Sequence, residues 1–155
     1  MIFSRTYQYN SSMRIEDIKN RLLGKHVKVH NLDFEVSEND KVLKIIPHAE
    51  SVTDIKTLPI THVRFKGEGG KTKIVVKSKM RKIDSGGPTL IMIFCLFLIV
   101  AAAIAFFANP QGNITIAYTL GGIGVAVFAL FWLRMERGYF DYVRKIRDFI
   151  KTQSA

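Results

Sequence analysis

Four histidines, His26, His30, His48 and His62, are the side chains of this sequence best suited to holding a metal or moving a proton near neutral pH. His26 and His30 share strand parity, with Lys28 between them, which places them roughly 13 Å apart, too far to share one ion. They are expected at the surface, with no metal bound. His48, Ser51 and Asp54 supply the group types of a hydrolase triad, in which an imidazole takes a hydroxyl proton and a carboxylate orients the imidazole. These three fall within seven residues of one polar loop. They lack the separate rigid supports that hold such groups in line, so no catalytic constellation is expected. Gly70-Lys71-Thr72 ends like a phosphate-binding loop, but that pattern requires a glycine five residues before Gly70, where Phe65 stands. It also requires a helix after Thr72, where Ile74 and Val76 alternate as in a strand. No nucleotide and no other cofactor is expected. Cys95, the single cysteine, sits in an apolar run and is expected to pack as a small apolar residue, with no intrachain disulfide.

The strongest chemical signal is charge. Over residues 61–66 the odd positions Thr61, Val63 and Phe65 suit a core, leaving His62, Arg64 and Lys66 outside. Gly67-Glu68-Gly69-Gly70 then turns the chain. Over residues 72–80 the even positions Thr72, Ile74, Val76 and Met80 face inward, and Lys71, Lys73, Lys77, Lys79 and Arg81 face outward. Arg64, Lys66, Lys71, Lys73, Lys77, Lys79 and Arg81 therefore form one candidate face for anions or lipid headgroups. A solvated sheet surface is the plainer use of the same residues. Nucleic acid is disfavoured, because the outward positions carry no aromatic rings to stack on bases.

The elements that position this face follow from periodicity. Phe3 to Tyr9 alternates aromatic and polar residues as a strand does. A helix is expected next, with Ser11 or Ser12 as its cap, Glu16 and Asp17 near its positive end, a stripe of Ile15, Ile18, Leu22 and Leu23, and Gly24 just past its end. From Lys25 the period returns to two, with Val27 and Val29 on one parity and Leu32, Phe34 and Val36 on the other. A bulge or a tight turn near Asn31 accounts for the change. Ser37 to Asp40 reads as a turn, residues 42–47 as a strand, and residues 48–58 as a polar connection that Pro59 closes.

From Ser85 the chain runs 49 residues, to Leu133, without one Asp, Glu, Lys or Arg, broken once at residues 109–113. Its halves, Thr89 to Ala108 and Ile114 to Leu133, are each 20 residues long. That length matches a hydrocarbon core of roughly 30 Å at 1.5 Å rise per residue. The expectation is a transmembrane hairpin acting as an anchor, because residues 1–10 lack a signal peptide's apolar core and no ionisable group lies within the spans. Lys77, Lys79, Arg81 and Lys82 precede the first span, and Arg134, Arg137, Arg144, Lys145 and Arg147 follow the second, whereas the turn is uncharged. Both termini are therefore expected on the cytoplasmic side of an inner or plasma membrane. Ala101 and Ala105 on the first span, with Ala117, Gly121, Gly122, Gly124 and Ala126 on the second, offer close helix packing within the hairpin or between copies of the chain. After Leu133 the apolar stripe Met135, Tyr139, Tyr142, Val143, Ile146, Phe149 and Ile150 predicts an amphipathic helix, kinked at Gly138 to lie in the membrane interface or packed on the preceding domain. Pairs Asp141 with Lys145 and Arg144 with Asp148 are expected along it.

The expected organisation is thus an α+β cytoplasmic domain, an antiparallel sheet plus one helix, over residues 1–84, a transmembrane hairpin over 85–133, and a cytoplasmic amphipathic helix and tail over 134–155. Net charge is +7 over residues 1–88, from 17 basic and 10 acidic residues, and +3 over 134–155, from 6 and 3. Basic segments of this kind suit the anionic cytoplasmic leaflet. The order of strand, helix, strands and a long helix after the last strand is loosely similar to helix-grip domains such as START-like lipid binders, which implies lipid handling. The reading of the residues themselves is a non-catalytic binding or scaffolding subunit that presents a basic domain at the membrane surface. A tethered anionic-lipid-binding or lipid-handling domain is the alternative, and a membrane-bound enzyme the weakest of the three. The partners expected are the membrane itself, anionic headgroups, and a protein partner or a second copy.

Overall fold

The computed structural model describes residues 3–30, 32–40, 42–48, 57–68, 70–108 and 114–155. It divides into two compact units. The first comprises residues 1–81 and 138–155, and the second residues 82–137. The expected divisions at 84/85 and 133/134 thus fall at 81/82 and 137/138, and the C-terminal segment belongs with the sheet.

The first unit is an α+β domain. Its strands β1 (Ser4–Ser11), β2 (His26–Val29), β3 (Leu32–Asn39), β4 (Val42–Pro47), β5 (Pro59–Glu68) and β6 (Lys71–Met80) form one antiparallel six-stranded sheet in the order β1-β6-β5-β4-β3-β2. Helix α1 (Ile15–Leu22) connects the two edge strands, and α4 (Asp141–Gln153) closes the unit. Alternation fixes the register, because a slip of one residue would turn every apolar side chain to water. Val27, Val29, Leu32, Phe34, Val36, Leu43, Ile45, Val63, Ile74 and Val76 all lie inside, as their parity predicts. The change of parity after Val29 is a tight turn rather than a bulge. Val29 pairs with Leu32, and His30 takes a positive φ of 55°. Gly24, at φ 70°, ends α1 in the left-handed conformation that a glycine adopts without strain.

Both helices pack on the inner face, and the C-terminal helix takes the second of its two expected places. Ile146 and Ile150 are fully buried, and Tyr142 meets Phe34 at 5.8 Å between ring centroids. The stripe on α4 therefore faces the sheet and not a membrane interface. Further contacts fix it to β1: the Tyr139 hydroxyl donates to the Phe3 carbonyl at 2.6 Å, the Arg5 guanidinium lies 4.5 Å over the Phe140 ring, and that of Arg147 5.0 Å over Tyr7. Burial pushes the Tyr139 phenol up to about 12, so it remains a donor throughout the physiological range. Asp141 pairs with Lys145 at 3.3 Å as expected, but Asp148 takes Arg147 in place of Arg144, whose guanidinium is 3.9 Å from Asp141.

Two other expectations fail for local reasons. Ser11 and Ser12 do not cap α1. The helix starts after Arg14, with no side-chain cap, because the sheet holds Ser11 opposite Thr72. The Ser11 hydroxyl instead accepts the Met13 amide and donates to the Ser154 carbonyl, tying both ends of the unit together. Leu23 leaves the helical stripe as its extended C-cap and is 45% exposed.

Within the sheet interior one polar pair stands out. Thr61 and Ser78, both fully buried, face each other across β5 and β6 with their hydroxyls 2.8 Å apart. Thr61→Val should cost about 1–3 kcal/mol, because it strands a buried hydroxyl, whereas the Thr61→Val/Ser78→Ala pair should recover most of that loss. A double-mutant cycle of chemical unfolding measures both.

The second unit holds a short helical turn (Lys82–Asp84) and helices α2 (Gly86–Ala108) and α3 (Ile114–Met135). Each is long and apolar enough to cross a membrane. They pack side by side in opposite directions, with Gly121 against Ala102 and Gly124 against Leu98. Buried or half-buried positions recur at intervals of three and four on α2, at Ile91, Cys95, Leu98, Ala102 and Ala105, and face a set on α3 that includes Ala117, Leu120, Gly121, Gly124, Val127 and Phe131. Ala101 is half-buried beside this seam. Gly122 faces away from α2 and meets nothing, so the close approach expected there is made by Gly124. The expected turn, residues 109–113, lies outside the described residues. Glu136–Phe140 forms a π-helical turn that joins α3 to α4 at the position expected for a bend.

Candidate functional site

Because α1 and α4 share the inner face, the outward parity of β4, β5 and β6 carries no helix of this unit among the described residues. Strand pairing sets its side chains in rows. Lys44, His62, Lys77 and Thr6 follow one another across four strands, Arg64 stands opposite Val75, Lys66 opposite Lys73, and Ile60 opposite Lys79. Directly paired side chains have Cβ atoms about 4.5–5.5 Å apart, and like charges placed so destabilise a sheet. The facing Lys66 and Lys73 are thus a stability cost that this surface carries.

Arg64, Lys66, Lys71, Lys77 and Lys79 are exposed, and Lys44, Lys73 and Arg81 half-exposed. Among the described residues no carboxylate pairs with Lys44, Arg64, Lys66, Lys73, Lys77 or Lys79. Elsewhere on the domain Lys19 pairs with Glu38, Lys145 with Asp141, and Arg147 with Asp148, whereas Arg14, Arg21 and Lys28 also have no carboxylate partner among the described residues. Among the residues whose burial is described, the acidic ones of the sheet's outer parity are Asp33 and Glu35 on β3, and the register also sets Glu68 on β5 opposite Lys71.

His62 registers the resulting field. Its pKa is held below the ordinary histidine value, first by partial burial and then by Lys44, Lys79, Arg64 and Lys77. The shift favours the neutral imidazole, and among the described residues neither of its ring nitrogens has a hydrogen-bond partner. The sequence placed six of the seven expected cations on this face by parity alone, together with Arg81 at its end. It gave no indication that Lys44 belongs beside His62, since that neighbourhood depends on β4 pairing with β5.

The other candidates resolve differently. Thr72, the third residue of the apparent phosphate loop, lies on β6 with its hydroxyl donated to the Met13 carbonyl at 2.7 Å. Residues 51–54 of the apparent triad lie outside the described residues. His26 Nδ1 is 2.6 Å from Asp33 Oδ2, and His30 Nε2 is 2.9 Å from Asp141 Oδ2, so these surface imidazoles have carboxylate partners that spacing did not predict. Asp141 is held below the usual carboxylate range, chiefly by the His30 hydrogen bond. Among the described residues no three His, Cys, Asp or Glu side chains are placed to hold a metal ion. Comparison with family models, with curated proteins and with solved structures finds no match to this chain.

Proposed function

We propose that this chain is a two-span integral membrane protein with both termini in the cytoplasm, and that it acts as a non-catalytic binding subunit whose sheet presents a basic face to an acidic ligand at the membrane surface. The observation that carries the reading is the set of six cations on β4, β5 and β6 that no described carboxylate neutralises. A merely soluble surface intersperses both signs; six cations without a carboxylate partner among the described residues suit a ligand of opposite sign. The membrane assignment rests on α2 and α3, on the uncharged residues between them, and on the lysines and arginines flanking their other ends.

The full chain in neutral detergent should bind fluorescent polyglutamate, used as a model acidic ligand, with an affinity that falls steeply as salt rises. The variant Arg64→Gln/Lys73→Gln/Lys77→Gln/Lys79→Gln should bind about tenfold more weakly, which is ~1.4 kcal/mol spread over four exposed charges. Affinity unchanged by the substitutions would remove the basic face from the account.

A further inference from the structure

We infer that Lys44, His62 and Lys77 form a discrete site for the phosphate of an anionic phospholipid, in which His62 becomes a third cation when the headgroup binds. The inference rests on the binding reading above and names its ligand. Three consecutive strands bring these residues into one row, with Lys44 directly opposite His62 and His62 directly opposite Lys77. Neighbouring strands are about 4.8 Å apart, so the two ammonium groups flank the imidazole within reach of one phosphate. The imidazole nitrogens have no partner among the described residues, which leaves an N–H available to donate.

Lipid is favoured over other phosphates by connectivity and by the rest of the face. Strand β6 leads through Arg81 straight into the unit that carries the two apolar helices, so the site is tethered to a bilayer and meets lipid at high effective concentration. The apolar residues of the outer parity on β4, β5 and β6 are aliphatic, Val42, Ile46, Ile60 and Val75, and offer nothing for bases to stack on.

The site carries its own pH dependence. The charged groups around His62 are Lys44 on β4, Arg64 on its own strand, and Lys77 and Lys79 on β6, all positive, and they favour the neutral form of the unoccupied imidazole. A bound phosphate reverses the local field and favours imidazolium. Because the ligand prefers the protonated form, binding strengthens as pH falls from the bound imidazole's pKa towards the lower value of the unoccupied one.

The test uses the full chain in bilayer discs of phosphatidylcholine alone or of an equal mixture with phosphatidylglycerol, whose charge is constant across the histidine range. NMR of labelled histidines, assigned by single His→Gln variants, follows all four titrations from about pH 5 to about pH 8. His62 should move to higher pH in the anionic discs by more than His26, His30 and His48 do, and Lys44→Gln/Lys77→Gln should abolish the excess. Equal movement of all four imidazoles would overturn the inference and leave the basic-face reading intact, since a diffuse surface potential acts on every histidine alike. No movement in anionic discs, with polyglutamate still bound, would assign the face to a protein ligand. No movement and no polyglutamate binding would overturn both. A shift of His62 by inorganic phosphate in neutral discs as large as that by the lipid would place the ligand in solution and overturn the lipid assignment.

Discussion

Ile146→Ala/Ile150→Ala should unfold most of the sheet domain while leaving the two apolar helices in the membrane. Both side chains are fully buried between α4 and the sheet. Truncating a buried isoleucine to alanine costs about 2–5 kcal/mol, so the pair removes roughly 4–10 kcal/mol. The entire stability of a domain of this size is about 5–15 kcal/mol, and the loss is comparable with it. Near-ultraviolet circular dichroism of the tyrosines and protease protection of residues 1–81 report the change. A helix lying in the membrane interface would behave otherwise: the same substitutions would weaken its association with lipid and leave the sheet as stable as before. By the same argument residues 1–84 without α4 should not form a stable domain, since Phe34 loses its Tyr142 contact and the inner face of the sheet is exposed.

Gly124→Ile should loosen the α2–α3 pair, whereas Gly122→Ile should not. A Cβ at position 124 would meet Leu98 Cβ at 3.2 Å and the Cys95 carbonyl oxygen at 3.5 Å, and the larger branched side chain has no room beyond them. Forcing extra methylenes into such a contact costs about 1–3 kcal/mol. Helix pairing in lipid relies on close packing with no hydrophobic drive to offset the loss. Position 122, two residues earlier, faces away from α2 with nothing within 4 Å. Unfolding in mixed micelles as the fraction of dodecyl sulfate rises should shift to lower fractions for Gly124→Ile alone. Equal effects at both positions would mean that the seam is not the one described.

The contrast between these two glycines shows where sequence reading reached its limit. Small residues on an apolar helix mark a packing surface, but Gly121, Gly122 and Gly124 are too closely spaced for composition to say which of them faces the partner. The seam at intervals of three and four became clear only when α2 supplied Leu98 and Cys95 opposite. Strands were legible in number and parity, and β4 to the residue, because one buried face imposes a period of two; the ends were not, since β3 continues through Ser37, Glu38 and Asn39, whose polar composition reads as a turn, and β5 extends from Pro59 to Glu68. Gly24 marked the end of α1 for an equally local reason. The place of α4 was not legible. An apolar stripe spaced for a helix fits a sheet or a bilayer interface equally well, and the strands that cover it lie on the far side of two apolar helices in the chain. The basic face was half-legible in the same sense: parity exposed the cations of β5 and β6, but the row of Lys44, His62 and Lys77 exists only through strand order.

The account stands or falls on where the basic face lies relative to the membrane. In a chain whose native Cys95 is replaced by alanine, single cysteines are introduced as Gln111→Cys, between the two apolar helices, and as Lys73→Cys, on β6. Intact cells are then treated with a membrane-impermeant maleimide. The account predicts labelling at position 111 in intact cells and at position 73 only after the membrane is permeabilised. Labelling at position 73 in intact cells, with position 111 protected, would put the cations on the far side of the bilayer and contradict it.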